Sequence, residues 1–218
     1  MNKIATIFGT AASGKDTLLA YLDRDPDMAR IINITTRPPR SDEINGQNYY
    51  FLSDSEHQKN IGLGKYITFA TEHGRQYGVL RDSITKIWES DRLPVGHFGM
   101  SDHEILWNQQ SLGVFAVRSI ALVAPSFKIW KERMRVRLNR GVIDEQELQL
   151  RLRSARSEID FILANADKFL PVYSNNETDM QLQARSYLKY SVSTDTDFER
   201  VASFKNDLVS YLSGRYEE

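Results

Sequence analysis

The stretch GTAASGKDT, residues 9–17, decides the fold. It follows the apolar, β-branched run KIATIF (3–8), which predicts a buried strand, and it leads into DTLLAYL (16–22), which has helical character. Its two glycines and Lys15 have the spacing Gly-x-x-x-x-Gly-Lys. Such glycines let backbone N–H groups close around phosphate oxygens, while the helix N-terminus and the lysine add positive charge. The sequence therefore predicts a phosphate-binding loop between the first strand and the first helix.

Asp16 stands where such loops have Ser or Thr, whose hydroxyl holds magnesium. A carboxylate repels a polyphosphate unless a cation lies between them, and Asp is itself a suitable magnesium ligand, directly or through water. The alternative is that Asp16 only favours the first turn of the helix. Thr17 offers a hydroxyl one position later, in a different direction.

Apolar runs and helical segments alternate along the rest of the chain. ARIINITT (29–36), VFAVRSIALVA (114–124) and KFLPVYS (168–174) predict buried strands, and residues 125–164 form a long region of helical periodicity. Strands that alternate with helices favour a parallel sheet covered on both faces. The sequence therefore predicts an α/β protein.

Composition excludes several classes of protein. The chain has 218 residues, with 28 Lys and Arg against 29 Asp and Glu, so no net field attracts nucleic acid or an acidic membrane. It has no cysteine, which excludes disulfides and thiolate metal sites. No signal peptide and no apolar run of about 20 residues is evident. We therefore expect a cytoplasmic protein, either a monomer or a homodimer, that binds small molecules.

A second constellation is TTRPPRSDEINGQNYYFLS, residues 35–53. Arg37 and Arg40 end a predicted strand, held apart by two prolines, and forked guanidinium groups are the preferred ligands of phosphate. Three further side chains could complete an anion pocket through hydrogen bonds: Glu43, Tyr49 and Tyr77. After a phosphate-binding loop, this segment indicates a site for a second phosphate, that of an acceptor.

This ordered series of motifs resembles the guanylate kinase family, from about residue 3 to about residue 176. In that family Thr-Thr-Arg-x-x-Arg and then Gly-Glu-x-x-Gly-x-x-Tyr form the clamp on a mononucleotide's phosphate. The matching residues here are Thr35, Thr36, Arg37, Arg40, Glu43, Gly46 and Tyr49, followed by Tyr77-Gly78. The family's basic lid is similar to RMRVRLNRG followed by LQLRLRSARSE.

The resemblance implies an ATP-dependent, magnesium-dependent nucleoside monophosphate kinase. The ATP-binding residues would be Gly9, Thr10, Ala11, Ala12, Ser13, Gly14, Lys15, Asp16 and Thr17, with Asp16 on the metal. The acceptor-binding residues would be Asn33, Arg37, Arg40, Glu43, Tyr49, Thr68 and Tyr77. The catalytic residues would be Lys15, Arg37, Arg140 and Arg151. Arg137 matches a further lid position at a spacing one residue shorter than in the family.

The same resemblance implies the architecture. A P-loop kinase fold would have a parallel sheet flanked by helices, an acceptor-binding part at about 33–80 and a helical lid at about 130–156. This domain would occupy residues 1–190, and residues 191–218 would be a helical extension.

Nine lysines and arginines lie in and near the predicted lid. They are Lys128, Lys131, Arg133, Arg135, Arg137, Arg140, Arg151, Arg153 and Arg156. A closing lid needs arginines to neutralise charge on a transferred phosphoryl group. Charged helix faces usually only contact solvent, and we expect this of most of the nine. Arg140 and Arg151 are assigned a role through their places in the family motif.

The family's base-reading positions differ here. Its Ser, Glu and Ser or Thr are replaced by Asn33, Thr68 and Val79, and its Asp-rich stretch by VGHFGMSD. Loss of carboxylate acceptors leaves the N–H groups of guanine without partners, which costs discrimination. Asn33 and Thr68 could still bond a base, and Glu72 and His97 are candidates for the lost contacts.

Three hypotheses remain open from the sequence. The first is a kinase of GMP. The second is a kinase of another nucleotide or a phosphorylated sugar, because Gly-Lys-Asp is similar to the loop of ribose bisphosphate kinases. The third is an inactive guanylate kinase-like binding module, although such modules usually degrade the phosphate-binding loop.

Overall fold

The computed structural model describes residues 1–39, 43–72, 74–190 and 198–215. Its strands are β1 (Lys3–Phe8), β2 (Met28–Arg30), β3 (Ile34–Thr35), β4 (Tyr50–Phe51), β5 (Tyr66–Glu72), β6 (Arg75–Leu80), β7 (Leu93–His97), β8 (Ala116–Val123) and β9 (Phe169–Tyr173). Its helices are α1 (Lys15–Leu22), α2 (Asp54–Gly62), α3 (Arg81–Glu89), α4 (Met100–Ser111), α5 (Phe127–Asn139), α6 (Glu145–Ala164), α7 (Glu177–Tyr190) and α8 (Glu199–Leu212).

The strands form two sheets. The larger has the order β2-β7-β1-β8-β9, in which β2 pairs parallel with β7 and β8 pairs parallel with β9. The smaller has the order β4-β3-β6-β5 and is mixed, since β3 is parallel to β4 and antiparallel to β6. The predicted α/β class, with a parallel sheet flanked by helices, is confirmed.

Chain contacts divide the protein into two compact units. Unit 1 comprises residues 1–6 and 21–117, and unit 2 comprises residues 7–20 and 118–218. The core of unit 1 includes an apolar cluster of Ile4, Ile31, Val79, Ile84, Phe98, Leu106 and Phe115. Unit 2 buries the inner faces of α5, α6 and α8, among them Trp130, Ile159 and Phe204. The predicted boundary between residues 190 and 191 differs from this division into two units, and it stays a prediction.

One predicted strand is in fact two. The run 29–36 was expected to be continuous, but β2 ends at Arg30 in the larger sheet and β3 begins at Ile34 in the smaller one. Between them, Ile31 still donates from its backbone N–H to the carbonyl of Val95, and the side chain of Asn33 donates to the carbonyl of His97. An apolar run shows that a segment is buried, but it does not show which sheet each residue joins.

The predicted long helical region also divides. α5 ends at Asn139, and α6 begins at Glu145 after the Asp144 side chain accepts a hydrogen bond from the backbone N–H of Glu147. Gly141, between the two helices, has φ of 66°, a left-handed conformation that suits glycine and ends helices.

Apolar periodicity predicts neither α2 nor α4. α2 begins with a capping box, in which Ser53 and Glu56 satisfy each other's backbone N–H groups, and it buries only His57. α4 buries Asp102 and His103 beside Leu106, so its inner face is polar in the sequence. Within the part of the chain that the structure describes, no helix is long and apolar enough to cross a membrane.

His103 is a fully buried histidine within unit 1. Its Nδ1 lies 2.8 Å from the carbonyl oxygen of Gly99, and its Nε2 lies 2.9 Å from the Thr6 hydroxyl. A carbonyl can only accept, so Nδ1 carries a proton. Burial lowers the pKa of His103 from 6.5 to about 4, although the bond to Gly99 opposes this.

We predict that His103 makes the protein sensitive to acid. Because its folded-state pKa is depressed, its contribution to stability is complete above pH 6.5 and is lost as the pH falls towards 4. The loss amounts to about 3 kcal/mol, since each pKa unit corresponds to about 1.4 kcal/mol. Denaturant unfolding at several pH values in this window should show a shallower decline for His103→Gln than for the native protein. Parallel declines would contradict the prediction.

Candidate functional site

The loop from Gly9 to Gly14 is shaped by a close approach of two backbones. A β-carbon added to Gly9 would lie 2.0 Å from the carbonyl oxygen of Leu122 in β8, so no other residue fits without a shift. Gly9 has φ of 153° and Gly14 has φ of 100°, both favouring glycine. Gly14 leads straight into α1, as predicted. The loop therefore lies at a helix N-terminus, which can bind an anion.

Lys15 folds back across this loop. Its Nζ donates to the carbonyl oxygen of Gly9 at 2.7 Å and to that of Thr10 at 2.8 Å. Burial lowers the pKa of Lys15; the carboxylates of Glu158 and Asp16 oppose this effect, and Arg151 and Arg137 add to it. A cation held this way can move to a phosphate oxygen that enters the loop.

Two hydroxyls of the loop are buried without partners. The Thr10 and Ser13 side-chain oxygens have no hydrogen-bond partner among the described residues. Buried polar atoms are nearly always bonded, and an exception requires an explanation such as a missing ligand. These two hydroxyls can donate to an oxyanion in the loop.

α5 holds the loop from its other side. Trp130 donates from Nε1 to the carbonyl oxygen of Ala11 at 2.7 Å, and Arg133 donates to that of Ala12 at 3.2 Å. Arg133 also bonds the hydroxyl and the carbonyl of Ser174 at the end of β9, at 2.8 and 2.9 Å. Most of the nearby cations were expected to contact solvent, so the role of Arg133 was missed. Trp130, which reads as an ordinary core residue, was also missed.

The predicted lid residues lie on α5 and α6. Arg140 caps the C-terminus of α5 and is exposed, as is Arg137. Arg151 is half-buried and forms an ion pair with Glu147, with 3.0 Å between Nη2 and Oε1. The positive charges of Arg137 and Arg151 both lower the pKa of Lys15, so both arginines lie near enough to interact electrostatically with the lysine.

Asp16 and Thr17 are exposed in the first turn of α1. No group of three or more His, Asp or Glu side chains that could hold a metal occurs in the described residues. A metal at this loop would therefore need oxygens of a ligand in addition to protein carboxylates such as that of Asp16. Mg²⁺ suits such a set, since it commonly binds one or two carboxylates together with phosphates.

In unit 1, Arg37 and Glu43 form a bidentate pair. The two distances from guanidinium nitrogen to carboxylate oxygen are 2.9 and 2.7 Å, and both side chains are largely buried. The hydrogen bond to Glu43 raises the pKa of Arg37, with a smaller contribution from Tyr77. The guanidinium carbon also lies 5.6 Å from the centre of the Tyr49 ring. The structure thus assembles four of the predicted acceptor residues, whereas Arg40 lies outside the described residues.

His97 joins this group. Its Nε2 lies 3.1 Å from the Tyr49 hydroxyl, and its carbonyl oxygen accepts from the Asn33 side chain at 3.0 Å. The rings of Tyr49 and Tyr77 meet edge to face, with centroids 6.1 Å apart. His97, a candidate for the lost base contacts, therefore lies beside Tyr49 and Asn33, and its role in binding a base stays a prediction. The side chain of Glu72, the other candidate, is outside what the structure describes.

Three buried oxygens near the end of β7 lack partners among the described residues. They are Asn33 Oδ1, Thr68 Oγ1 and Asp102 Oδ1. The other oxygen of Asp102 caps α4 by accepting from the backbone N–H of Gly99 at 3.0 Å. Burial raises the pKa of Asp102, and the bond to Gly99 and the nearby Thr68 hydroxyl oppose the rise.

Asp102 was not among the predicted site residues. The sequence shows it inside VGHFGMSD, where only the loss of the family's Asp-rich pattern was noted. Its position at the third residue of a helix, after Gly99, is the signal that could have identified it as a helix cap.

Comparisons with known proteins agree with these motifs. Among curated proteins, the guanylate kinase of Nostoc sp. is 32% identical over 184 residues, which are 84% of this chain and 86% of that protein. Guanylate kinase 1 of Arabidopsis thaliana is 30% identical over 176 residues, which are 80% of this chain and 44% of that protein.

A solved structure agrees as well. The crystal structure of guanylate kinase from Anaplasma phagocytophilum has a TM-score of 0.65 and 18% identity, and the match covers 99% of this chain and 97% of that one. At this identity the likeness shows the fold. A family model described as guanylate kinase matches residues 1–184 of the 218, and with it the loop, the arginine clamp and the lid helices. The chain belongs to the guanylate kinase family.

Proposed function

We propose that the protein is an ATP-dependent kinase that transfers the γ-phosphoryl group of ATP to a nucleoside monophosphate, first of all GMP. The observation that carries this proposal is Lys15, held across a loop in which the buried hydroxyls of Thr10 and Ser13 have no hydrogen-bond partner among the described residues. The relatives named guanylate kinase support the choice of substrates.

The donor phosphates would lie in the Gly9–Gly14 loop. Its backbone N–H groups, the start of α1 and Lys15 would neutralise them. Mg²⁺ bound by Asp16 and the phosphates would supply further positive charge. Arg137, Arg140 and Arg151 would neutralise negative charge on the transferred phosphoryl group. This role is supported by the positive charges of Arg137 and Arg151, which lower the pKa of Lys15.

The acceptor phosphate would bind to Arg37, Arg40, Tyr49 and Tyr77. In the structure Glu43 accepts from both Nη atoms of Arg37, and the Pro38 carbonyl accepts from Nη1, so the guanidinium is held in one orientation beside the Tyr49 ring. A phosphate oxygen is already a nucleophile, so the reaction needs no general base. Phosphoryl transfer then depends mainly on positioning and charge neutralisation.

The residues at the family's base-reading positions indicate whether GMP or another acceptor is the substrate. Thr68 replaces the family's Glu, which favours a changed base or a phosphorylated sugar, as does the likeness of Gly-Lys-Asp to ribose bisphosphate kinases. Asp102, however, supplies a buried carboxylate beside the Thr68 hydroxyl. We propose that it takes the place of the missing carboxylate, which keeps GMP first.

An inactive binding module is the least supported hypothesis, because the loop keeps both glycines and Lys15. The cytoplasmic location, the oligomeric state and a separate extension after residue 190 stay predictions.

The proposal predicts ADP formation from Mg-ATP in the presence of GMP. Acceptors to compare are GMP, dGMP, AMP, CMP, UMP, IMP and ribose 1,5-bisphosphate. Lys15→Ala should lower the turnover by at least ~10²-fold, because it removes a full charge from the transferring phosphate. Lys65→Ala, at an exposed lysine of unit 1, is the matched control and should keep full activity. ATP binding without turnover of any acceptor would instead favour a binding module.

Arg37→Ala should affect the acceptor far more than ATP. It removes a guanidinium and leaves the Glu43 carboxylate facing the phosphate, so the KM for GMP should rise at least about tenfold. The KM for ATP should stay within about twofold, and Arg40→Ala should behave in the same way. Arg75→Ala, at an exposed arginine of β6, serves as the control. Equal losses for both substrates would mean that these arginines are structural.

Asp102→Asn tests the base-reading proposal. The amide oxygen can still cap α4, but the carboxylate that would accept from guanine is lost. We expect the ratio of kcat/KM for GMP to that for AMP to fall at least about tenfold, as one lost charged acceptor implies. Asp82→Asn, an exposed residue in the first turn of α3, should leave the ratio unchanged. An unchanged ratio in Asp102→Asn would contradict the assignment.

A further inference from the structure

α8 lies beyond residues 1–184, where the family model matches. Its inner face is nonetheless part of the core of unit 2, since Val201, Phe204 and Leu208 are buried. Its Lys205 also pairs with Asp160 of α6, with 2.8 Å between Nζ and Oδ1. The helix is therefore anchored on the body of unit 2.

Phe204 completes an aromatic cluster with two residues of α5. Its ring centroid lies 5.7 Å from that of Phe127 and 5.8 Å from that of Trp130, in both cases edge to face. Phe127 and Trp130 stack on each other, with centroids 5.8 Å apart. All three side chains are almost completely buried. Close-packed interiors leave a ring in such a cluster little freedom to move, so α8 fixes the orientation of the Trp130 indole.

The same indole also contacts the Gly9–Gly14 loop. Nε1 of Trp130 donates to the carbonyl oxygen of Ala11. In a trans peptide the C=O and the following N–H point in opposite directions, so this bond directs the N–H of Ala12 away from Trp130. Ala12 has φ of 57°, an uncommon conformation for a residue with a β-carbon, which persists only where its surroundings enforce it. Trp130 binds the carbonyl of the peptide unit before Ala12, and Arg133 binds the carbonyl of the unit after it. Together they hold Ala12 in this conformation.

We propose that α8 acts through Phe204 and Trp130 to position the phosphate-binding loop, so that a helix outside the family match sets the affinity for ATP without touching it. The expected effect on ATP affinity rests on the proposed function. The expected effect on the conformation of the loop concerns the ligand-free protein alone. Trp130 and Phe204 are positioning residues in this scheme.

The primary test is hydrogen–deuterium exchange of the full-length, ligand-free protein, read on a peptide that covers residues 9–17. Trp130→Phe keeps an aromatic ring but removes the N–H donor. Phe204→Leu keeps an apolar side chain but removes the edge-to-face contact. Both variants should speed exchange in the loop. Trp130→Phe should do so at least about threefold, because a local opening that costs one hydrogen bond less occurs more often, and Phe204→Leu less strongly, because it only loosens the packing that orients Trp130.

Trp88→Phe is the matched control. The Trp88 indole also donates to a backbone carbonyl, that of Lys3, at 2.8 Å, but it lies in unit 1. It should leave exchange at residues 9–17 unchanged. Unchanged exchange in Trp130→Phe, or equal acceleration in Trp88→Phe, would overturn the inference.

The second readout is the KM for each substrate. Trp130→Phe should raise the KM for ATP about five- to tenfold, as the loss of one hydrogen bond implies, and leave the KM for GMP within about twofold. Phe204→Leu should do the same to a smaller degree. An equal rise for both substrates would mean that the two residues only stabilise the fold, and would overturn the inference. Faster loop exchange in a protein that transfers no phosphoryl group would support the mechanical role and overturn the proposed function alone.

Discussion

The approach of Gly9 to the carbonyl oxygen of Leu122 is the constraint on which the candidate site depends. With 2.0 Å between that oxygen and a β-carbon at residue 9, β1 can end against β8 only through glycine. The chain then turns at once into the loop, and Lys15 reaches back to the carbonyl of Gly9. The carbonyls of Ala11 and Ala12 accept from α5, and the hydroxyls of Thr10 and Ser13, which lack a partner among the described residues, are available to a ligand.

In each unit, a positively charged side chain that would bind a phosphate is held in place by neighbouring oxygen atoms. Lys15 is held by carbonyls and by the field of Glu158, while Arg37 is held by Glu43 in a fork. Each cation is thus oriented before any ligand arrives, so less conformational entropy is lost on binding. The cost is burial of charge, which is tolerable only because each partner is in place.

The loop and the α/β class could be predicted because each depends on local sequence, namely glycine spacing and alternating periodicity, whereas the Arg-x-x-Arg clamp stays a prediction. The contact of Trp130 with Ala11 could not be predicted, since the two residues are 119 positions apart and only packing brings them together. Asp102 was missed because a buried carboxylate looks like any polar helix residue until its surroundings are known. The division of residues 29–36 between two sheets likewise follows from pairing with β7 and β6, not from composition.

The packing of α8 has a consequence for dissecting the chain. The family match ends at residue 184, and a fragment cut there would look complete by its motifs. It would lack Phe204, however, and would expose the buried faces of Phe127 and Trp130 to water. Large apolar patches of this kind promote self-association. The family match therefore ends before the hydrophobic core does, because the core includes α8. We expect a fragment of this chain to stay soluble only if it contains α8.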